Sequence, residues 1–190
     1  MISIEGEVHD YIYIIQSGIC SLAKYGEIKG FLKTDEVIEM NNILGNEASF
    51  FTVTALTNMT LFKFAKVDVM LKIMHLQEGT LFLYNDLKIM VRQMLQWDIL
   101  HVTDTKNRIK RNIVFLGIRH GEETSDQLIL PRIITKKIIS DFVRLTPTTV
   151  YNICKKLTEE GFLVENGQAL IVNKGRAECE IIVVKNLILL

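Results

Sequence analysis

Apolar and polar positions are spaced in three different ways along this chain, and each spacing predicts a different kind of element. Over residues 1–75 the period is close to two, which describes strands. Tyr11-Ile12-Tyr13-Ile14-Ile15 is a β-branched and aromatic run ended by Ser17-Gly18, and Ile19–Ala23 makes a second short strand after that turn. Gly26 and Gly30 punctuate the next stretch. Phe50–Phe64 alternates imperfectly: Phe51, Val53 and Ala55 are separated by Thr52 and Thr54, Asn58 marks a turn, and Leu61, Phe62 and Phe64 resume. Short strands at this interval predict a sandwich or barrel.

Over residues 76–120 the period lengthens. There is no proline, and no glycine between Gly79 and Gly117. Leu83, Leu87, Met90, Met94, Trp97 and His101 follow a 4-3-4-3-4 spacing, the seam of a coiled coil. A second stripe runs through Val91, Leu95 and Val102. One stripe suits the β-rich part and the other a partner chain; a helix buried within one subunit is the alternative. At up to about 25 residues, roughly 37 Å, the helix is longer than a small domain needs. A break at Asp104-Thr105-Lys106-Asn107 ends it. A second helix over about Thr105–Arg119 comes next, with Lys106, Arg108, Lys110 and Arg111 outward and Ile109, Ile113 and Leu116 inward.

Residues 121–190 read as a smaller domain. Gly121–Asp126 is a polar connection, and Leu128–Ile134 reads as a strand whose Pro131 implies an edge position. Thr135 suits an N-cap for a helix over Lys136–Val143. After the turn Arg144-Leu145, Thr146 is a second N-cap and Pro147 occupies the first helical position, where a missing N–H costs nothing. That helix runs to Glu160, with Gly161 just past its end. Two helices joined by a three-residue turn have the geometry of a helix-turn-helix. Ile139, Val143 and Leu145 are spaced to meet Val150, Ile153 and Leu157 across the corner, and Ser140 is small at the crossing. Asn166-Gly167 between the apolar runs Leu163-Val164 and Ala169–Val172 is a hairpin signal, and a hairpin directly after the second helix is a wing. The apolar tail Ile181–Leu190, interrupted by Lys185, is left open between strand and helix.

Charge sharpens this picture. The chain carries 22 basic and 22 acidic residues. A zero balance gives no whole-molecule attraction to nucleic acid, so contact with phosphates must come from local asymmetry. Between Arg132 and Arg176 there is such asymmetry: Arg132, Lys136, Lys137, Arg144, Lys155, Lys156, Lys174 and Arg176 face only Asp141, Glu159, Glu160 and Glu165. Cys20, Cys154 and Cys179 are far apart and form no paired motif, which speaks against a disulfide framework and a sequence-local metal site. His9 and His75 read as ordinary surface or core histidines, and no metal or cofactor is expected. No signal peptide and no run near the ~20 apolar residues of a membrane span is visible, so a cytoplasmic protein is expected. No G-x-S-x-G, H-E-x-x-H, P-loop or paired catalytic carboxylates occur, so an enzyme is not expected.

The segment ITKKIISDFVRLTPTTVYNICKKLTEEGFLVENGQALIV, residues 134–172, resembles the helix-turn-helix signature of the Crp-Fnr family of bacterial transcription regulators. YIYIIQSGICSLA is similar to that family's β-roll hairpin, the Gly79–Val102 helix to its dimerisation helix, and TDTKNRIKRNIVFLG to the helix after it. The PrfA-like branch, which does not use cyclic nucleotide, is the most similar. The resemblance implies an α+β fold: a truncated, jelly-roll-like β-roll over 1–75, a dimerisation helix over 76–104 and a winged helix-turn-helix over 105–190. It also implies double-stranded DNA with a near-palindromic site, a second copy of the chain and RNA polymerase as partners. The departures are specific. In the stretch matching the family's nucleotide pocket, Glu36–Thr54, there are Gly45, Glu47 and Ser49 but no Arg or Lys, so a phosphate would be buried without a cation and cyclic AMP is not expected. Strands preceding the first hairpin are expected to be missing, because Gly6 aligns close to the family's first β-roll turn. Where the family often carries Arg and Glu, and Arg further along, the recognition helix here has Pro147, Thr148 and Asn152.

Thr135, Lys136, Lys137, Thr146, Pro147 and the wing residues Asn166, Gly167 and Gln168 are therefore expected to position the DNA backbone. Thr148, Thr149, Tyr151, Asn152, Lys155 and Lys156 are expected to face bases or adjacent phosphates. Asn152 can pair with adenine and Thr148 can touch a thymine methyl, which predicts an A·T-leaning site. Leu83, Leu87, Met90, Met94, Trp97 and His101 form the expected dimer seam. The alternative is a regulator-like protein that has lost DNA binding and acts through ligands or protein partners. If the turn residue Arg144 needs φ > 0, where a glycine is usual, the cost is about 1 kcal/mol.

Overall fold

The β-branched run forms β1 (Tyr11–Ser17), and the chain reverses at Gly18 into β2 (Cys20–Lys24). Gly18 is required there: its φ is +102°, and a Cβ would lie 2.6 Å from Met59 Cγ. The structure is a computed structural model and describes residues 1–44, 46–167 and 169–189, the side chain of residue 189 excepted. Strands β3 (Glu27–Leu32), β4 (Val37–Ile38), β5 (Thr52–Ala55) and β6 (Thr60–Ala65) complete two antiparallel sheets, ordered β4-β1-β6 and β3-β2-β5. Inward positions of both sheets, Ile15 and Ile38 from one and Cys20, Leu32 and Val53 from the other, share one core, as in a sandwich. Ahead of β1 the chain touches the sheets only through single bridges, Ser3 to Val53 and Val8 to Ala48.

Helix α1 (Lys66–His75) succeeds β6 without a turn residue. It corrects the wholly β-rich reading of 1–75. Its spacing is Val69, Met70, Ile73, a helical stripe that packs with Met40, Ile43, Val37 and Leu83. The stripe is only one turn long, too short to stand out beside the strand pattern that precedes it. Helix α2 (Gly79–His101) begins after Leu76. Gly79 is needed at its start, since a Cβ there would sit 1.9 Å from the Ile73 carbonyl oxygen.

The chain divides into two compact units, Met1–Val91 and Arg92–Leu190, so α2 begins in the first and ends in the second. In the second unit, Asp104 caps α3 (Thr105–His120), accepting from the Lys106 and Asn107 N–H groups. Residues 112–117 of α3 are all buried, and Arg108, Lys110 and Arg111 are half-buried rather than on an open face. The reason is α6 (Glu178–Leu189), the apolar tail, which packs on α3 through Ile181, Val184 and Leu187 and pairs Glu180 with Lys110. Gln96 Nε2 donates to the Leu187 carbonyl at 2.7 Å, tying α6 to α2 as well.

The remaining strands make an antiparallel sheet, β7 (Glu122–Glu123), β8 (Gln127–Ile129), β10 (Ala169–Asn173) and β9 (Leu163–Asn166), in the order β7-β8-β10-β9. Two sequence expectations are corrected here. The strand read as Leu128–Ile134 ends at Ile129, before Pro131, and it is an interior strand. Its outer neighbour is β7, formed by the acidic pair inside the expected polar connection; two Glu carry no strand signal in the sequence.

Candidate nucleic-acid interface

Thr135 caps α4 (Lys136–Val143), its Oγ1 accepting from the Ile138 N–H at 3.3 Å. The helix ends at Arg144, whose φ of 54° and ψ of 49° are left-handed. A glycine would take this conformation freely; Arg144 bears a strain of about 1 kcal/mol. Its N–H and that of Leu145 both donate to the Ser140 carbonyl, closing the turn. Thr146 then caps α5 (Pro147–Glu159), accepting from the Thr149 N–H at 3.2 Å, with Pro147 in the first turn. Gly161, at φ 71°, lets the Phe162 N–H reach back to the Leu157 carbonyl and turns the chain into β9.

Ile139, Val143, Val150, Cys154 and Leu157 are fully buried where α4 crosses α5, and Ser140 is buried at the crossing. Burial pushes the Cys154 thiol up to about 11. Opposite this buried face, at successive helical turns, α5 exposes Thr148, Asn152, Lys155 and Glu159, flanked by Tyr151 and Lys156. Beside it, β9 and β10 form a hairpin in which Asn166 pairs with Ala169, and Gly167 has φ 62°. Gln168 lies outside the described residues.

Thr135, Lys137, Thr146, Pro147, Asn166 and Gly167 are exposed, whereas Lys136 and Thr149 are half-buried. Several charges of this face are already engaged. Lys136 Nζ lies 2.7 Å from Glu165 Oε1 of the wing and 4.8 Å from the centre of the Tyr151 ring. Lys137 pairs with Asp141 at 3.4 Å. Lys106 reaches Glu160 at 2.6 Å and holds its carboxyl below the usual carboxylate range. Among the described residues no ion pair or side-chain hydrogen bond engages Lys155 or Lys156, although Lys156 contributes to lowering the Glu160 carboxyl.

The expected seam on α2 separates into two groups. Leu87, Met90 and Met94 are exposed, and Leu83 is half-buried against the Met40, Ile43 and Ile73 cluster. Trp97 is half-buried and His101 is buried. His101 is 9% exposed; its ring stacks on Trp97 at 4.2 Å and places its two nitrogens 2.7 Å from the Trp97 carbonyl and 3.0 Å from the Phe142 carbonyl. Arg144 lies over the same Trp97 ring at 4.4 Å. In their place Tyr84, Val91, Leu95 and Val102 join Leu87 and Met94 as exposed apolar side chains. At about 100° per residue Tyr84, Leu87, Val91, Met94 and Leu95 share one side of the helix axis, and Val102 follows just past its end. Spacing alone could not show that the winged domain claims the side of α2 carrying Trp97 and His101.

In the first unit the segment Glu36–Thr54 does meet a cation, contributed from outside it. Glu39, left-handed at φ 69°, accepts hydrogen bonds from Asn42 Nδ2 at 3.1 Å and Ser49 Oγ at 2.9 Å. Lys66 Nζ, from the first turn of α1, lies 3.7 Å from the same oxygen, and both side chains are 2% exposed. Among the described residues no three His, Cys, Asp or Glu side chains are placed to hold a metal ion, and no helix is long and apolar enough to cross a membrane.

No family model and no curated protein matches the chain in sequence. Solved structures do match its fold. A CRP-family transcriptional regulator from Thermus thermophilus superposes with a TM-score of 0.76 at 14% identity, over 95% of this chain and 92% of that one. FixK2 from Bradyrhizobium japonicum gives 0.75 at 18% identity, over 98% and 91%. A cyclic nucleotide-binding domain containing protein from Listeria monocytogenes gives 0.69 at 18%, over 92% and 85%. Across nearly its whole length, then, the chain has the fold of the CRP/FNR transcriptional regulators: a β-roll, a long helix and a winged helix-turn-helix.

Proposed function

We propose that the chain is a homodimeric, sequence-specific DNA-binding transcription regulator of the Crp-Fnr type, of a branch that does not bind cyclic AMP. The observation that carries this reading is the exposed stripe Thr148, Asn152, Lys155 on α5, with Lys155 and Lys156 uncommitted and a hairpin wing beside it. A helix with short polar side chains and free cations along its outer face suits a major groove, where Asn152 would read adenine and the lysines would meet phosphates. The exposed apolar stripe Tyr84, Leu87, Val91, Met94, Leu95 and Val102 supports pairing of α2 with a second copy, since an open patch of this kind marks an interface. Two recognition helices one DNA turn, about 34 Å, apart would then read a near-palindrome. Residues 1–75 would serve as the sensor-like part, 76–104 as the dimerisation helix and 105–190 as the DNA-binding part. Against cyclic AMP stands the commitment of Lys66: its ammonium is taken by Glu39, and a phosphate entering there would meet a buried carboxylate.

Enrichment of bound sequences from a random duplex library tests the reading. A half-site repeated with two-fold symmetry is expected, altered when Thr148→Ala or Asn152→Ala is used. No enrichment at low salt refutes DNA reading and leaves the ligand- or protein-binding alternative; an unchanged selected sequence refutes the base-reading assignment. Sedimentation should give twice the chain mass, reduced to one by Leu87→Asp with Met94→Asp.

A further inference from the structure

Lys136 is the cation of this face that sits where three elements meet. It opens α4, its Nζ reaches Glu165 on β9 at 2.7 Å, and it rides over Tyr151 on α5 at 4.8 Å. Glu165 is itself part-exposed and stands on the wing strand one residue before Asn166. An acidic group so close to a phosphate-seeking surface opposes the approach of DNA, and here it also occupies the ammonium that would otherwise meet the backbone.

Resting on the DNA-reading assignment above, we propose that Glu165 is a positioning residue that acts through Lys136: it holds this lysine off the DNA backbone and so lowers affinity for unselected duplex. Lys155 and Lys156 are left to supply the sequence-independent attraction, and Lys136 serves as a strut between wing and recognition helix. The pair is an ion pair of two side chains that are 23% and 39% exposed, so its own contribution to stability is small and its removal leaves the fold intact. What changes is the count of phosphates the face can neutralise. Each phosphate neutralised adds about 0.9 to the slope of log affinity against log salt.

The test uses the full chain and a mixed-sequence duplex of about two helical turns, with fluorescence anisotropy over a salt series. Glu165→Gln frees one lysine in each of the two protomers, so it should bind this duplex about 30- to 100-fold more tightly at 0.1 M salt, with a slope steeper by about 1.8. In a Lys136→Gln background the same Glu165→Gln change should leave both nearly unaltered. Coincident slopes for wild type and Glu165→Gln overturn the proposal. So does an equal gain in the Lys136→Gln background, which would make Glu165 a general repulsive charge that does not act through Lys136. If neither wild type nor Glu165→Gln binds any duplex at low salt, the DNA-reading assignment falls and this proposal with it. A wild type that binds while the variant matches it removes the proposal alone.

Discussion

Lys66→Met puts the sharpest demand on the energetics of the first unit. Glu39 and Lys66 are each 2% exposed at the side chain, so both ions are held out of water. Glu39 retains hydrogen bonds from Asn42 and Ser49, but Lys66 Nζ makes none among the described residues, leaving the 3.7 Å ion pair as its compensation. Methionine fills nearly the same volume as the lysine stem, so the substitution removes the charge while opening little space. The carboxylate is then buried with two hydrogen bonds and no counter-charge. Breaking a buried pair from one side costs about 3–5 kcal/mol. Against a total stability of about 5–15 kcal/mol this is a large fraction. For a unit of this size it should lower the melting temperature by roughly 12–25 °C or more. Glu39→Gln keeps the polar contacts and removes the second charge, so Glu39→Gln with Lys66→Met should recover most of the loss. Thermal and urea unfolding of wild type, both single variants and the double variant, monitored by circular dichroism, forms a double-mutant cycle. A Lys66→Met chain within about 1 kcal/mol of wild type, or a double variant no better than the single, would refute the claim that the pair is desolvated and mutually dependent.

Three further outcomes rest on local features. Thr146→Ala removes the oxygen that accepts from Thr149 N–H and should cost about 1 kcal/mol, while Thr146→Ser should cost little; urea midpoints that do not separate the two would show that the cap is idle. The Cys20 and Cys154 thiols are buried and pushed up to about 11, whereas Cys179 is exposed, so iodoacetamide at neutral pH should modify Cys179 and reach the other two only after unfolding, as read by mass spectrometry. The Asp104 carboxyl is held below its ordinary value, first by the Asn107 N–H, then by the Asn107 side chain and the Lys106 N–H. Its stabilising effect is therefore complete above the unfolded value of about 3.9 and is lost as pH falls through the lower folded value. Asp104→Asn keeps a capping oxygen without the titration, so the stability difference between the two chains should shrink as pH falls below about 4; a constant difference would exclude this linkage.

Much of this architecture is legible in the sequence because it is written in short-range chemistry. Thr146-Pro147 and Asn166-Gly167 act within a few residues of themselves, and both produce the elements they announce. The same holds for Asp104 at the break between α2 and α3. What escapes the pattern depends on long-range contact. Pro131 reads as an edge signal because nothing in the sequence shows that Glu122-Glu123 will pair alongside β8. Trp97 and His101 fit the heptad as well as Leu87 does, and the sequence does not show that the carbonyl of Phe142, 41 residues beyond His101, meets the His101 ring. The cation missing from Glu36–Thr54 comes from Lys66, past the end of that segment. Lys136 and Glu165, 29 residues apart, look like separate charges in the sequence, although the fold brings them to 2.7 Å of each other.

The packing of α6 has a consequence for how the chain comes into being. Synthesis proceeds from the N terminus, and a domain folds as a unit once its parts are available. The first unit has every strand and helix of its core by residue 91. The second does not: α3 has its outer flank covered by Ile181, Val184 and Leu187, and Gln96 finds its acceptor in the carbonyl of Leu187. That donor and its partner are 91 residues apart, so α2 and α3 must wait, with apolar surface open, until the tail has been made. The β-roll has its core complete before α3 is made, whereas the winged domain can close only once α6 has followed.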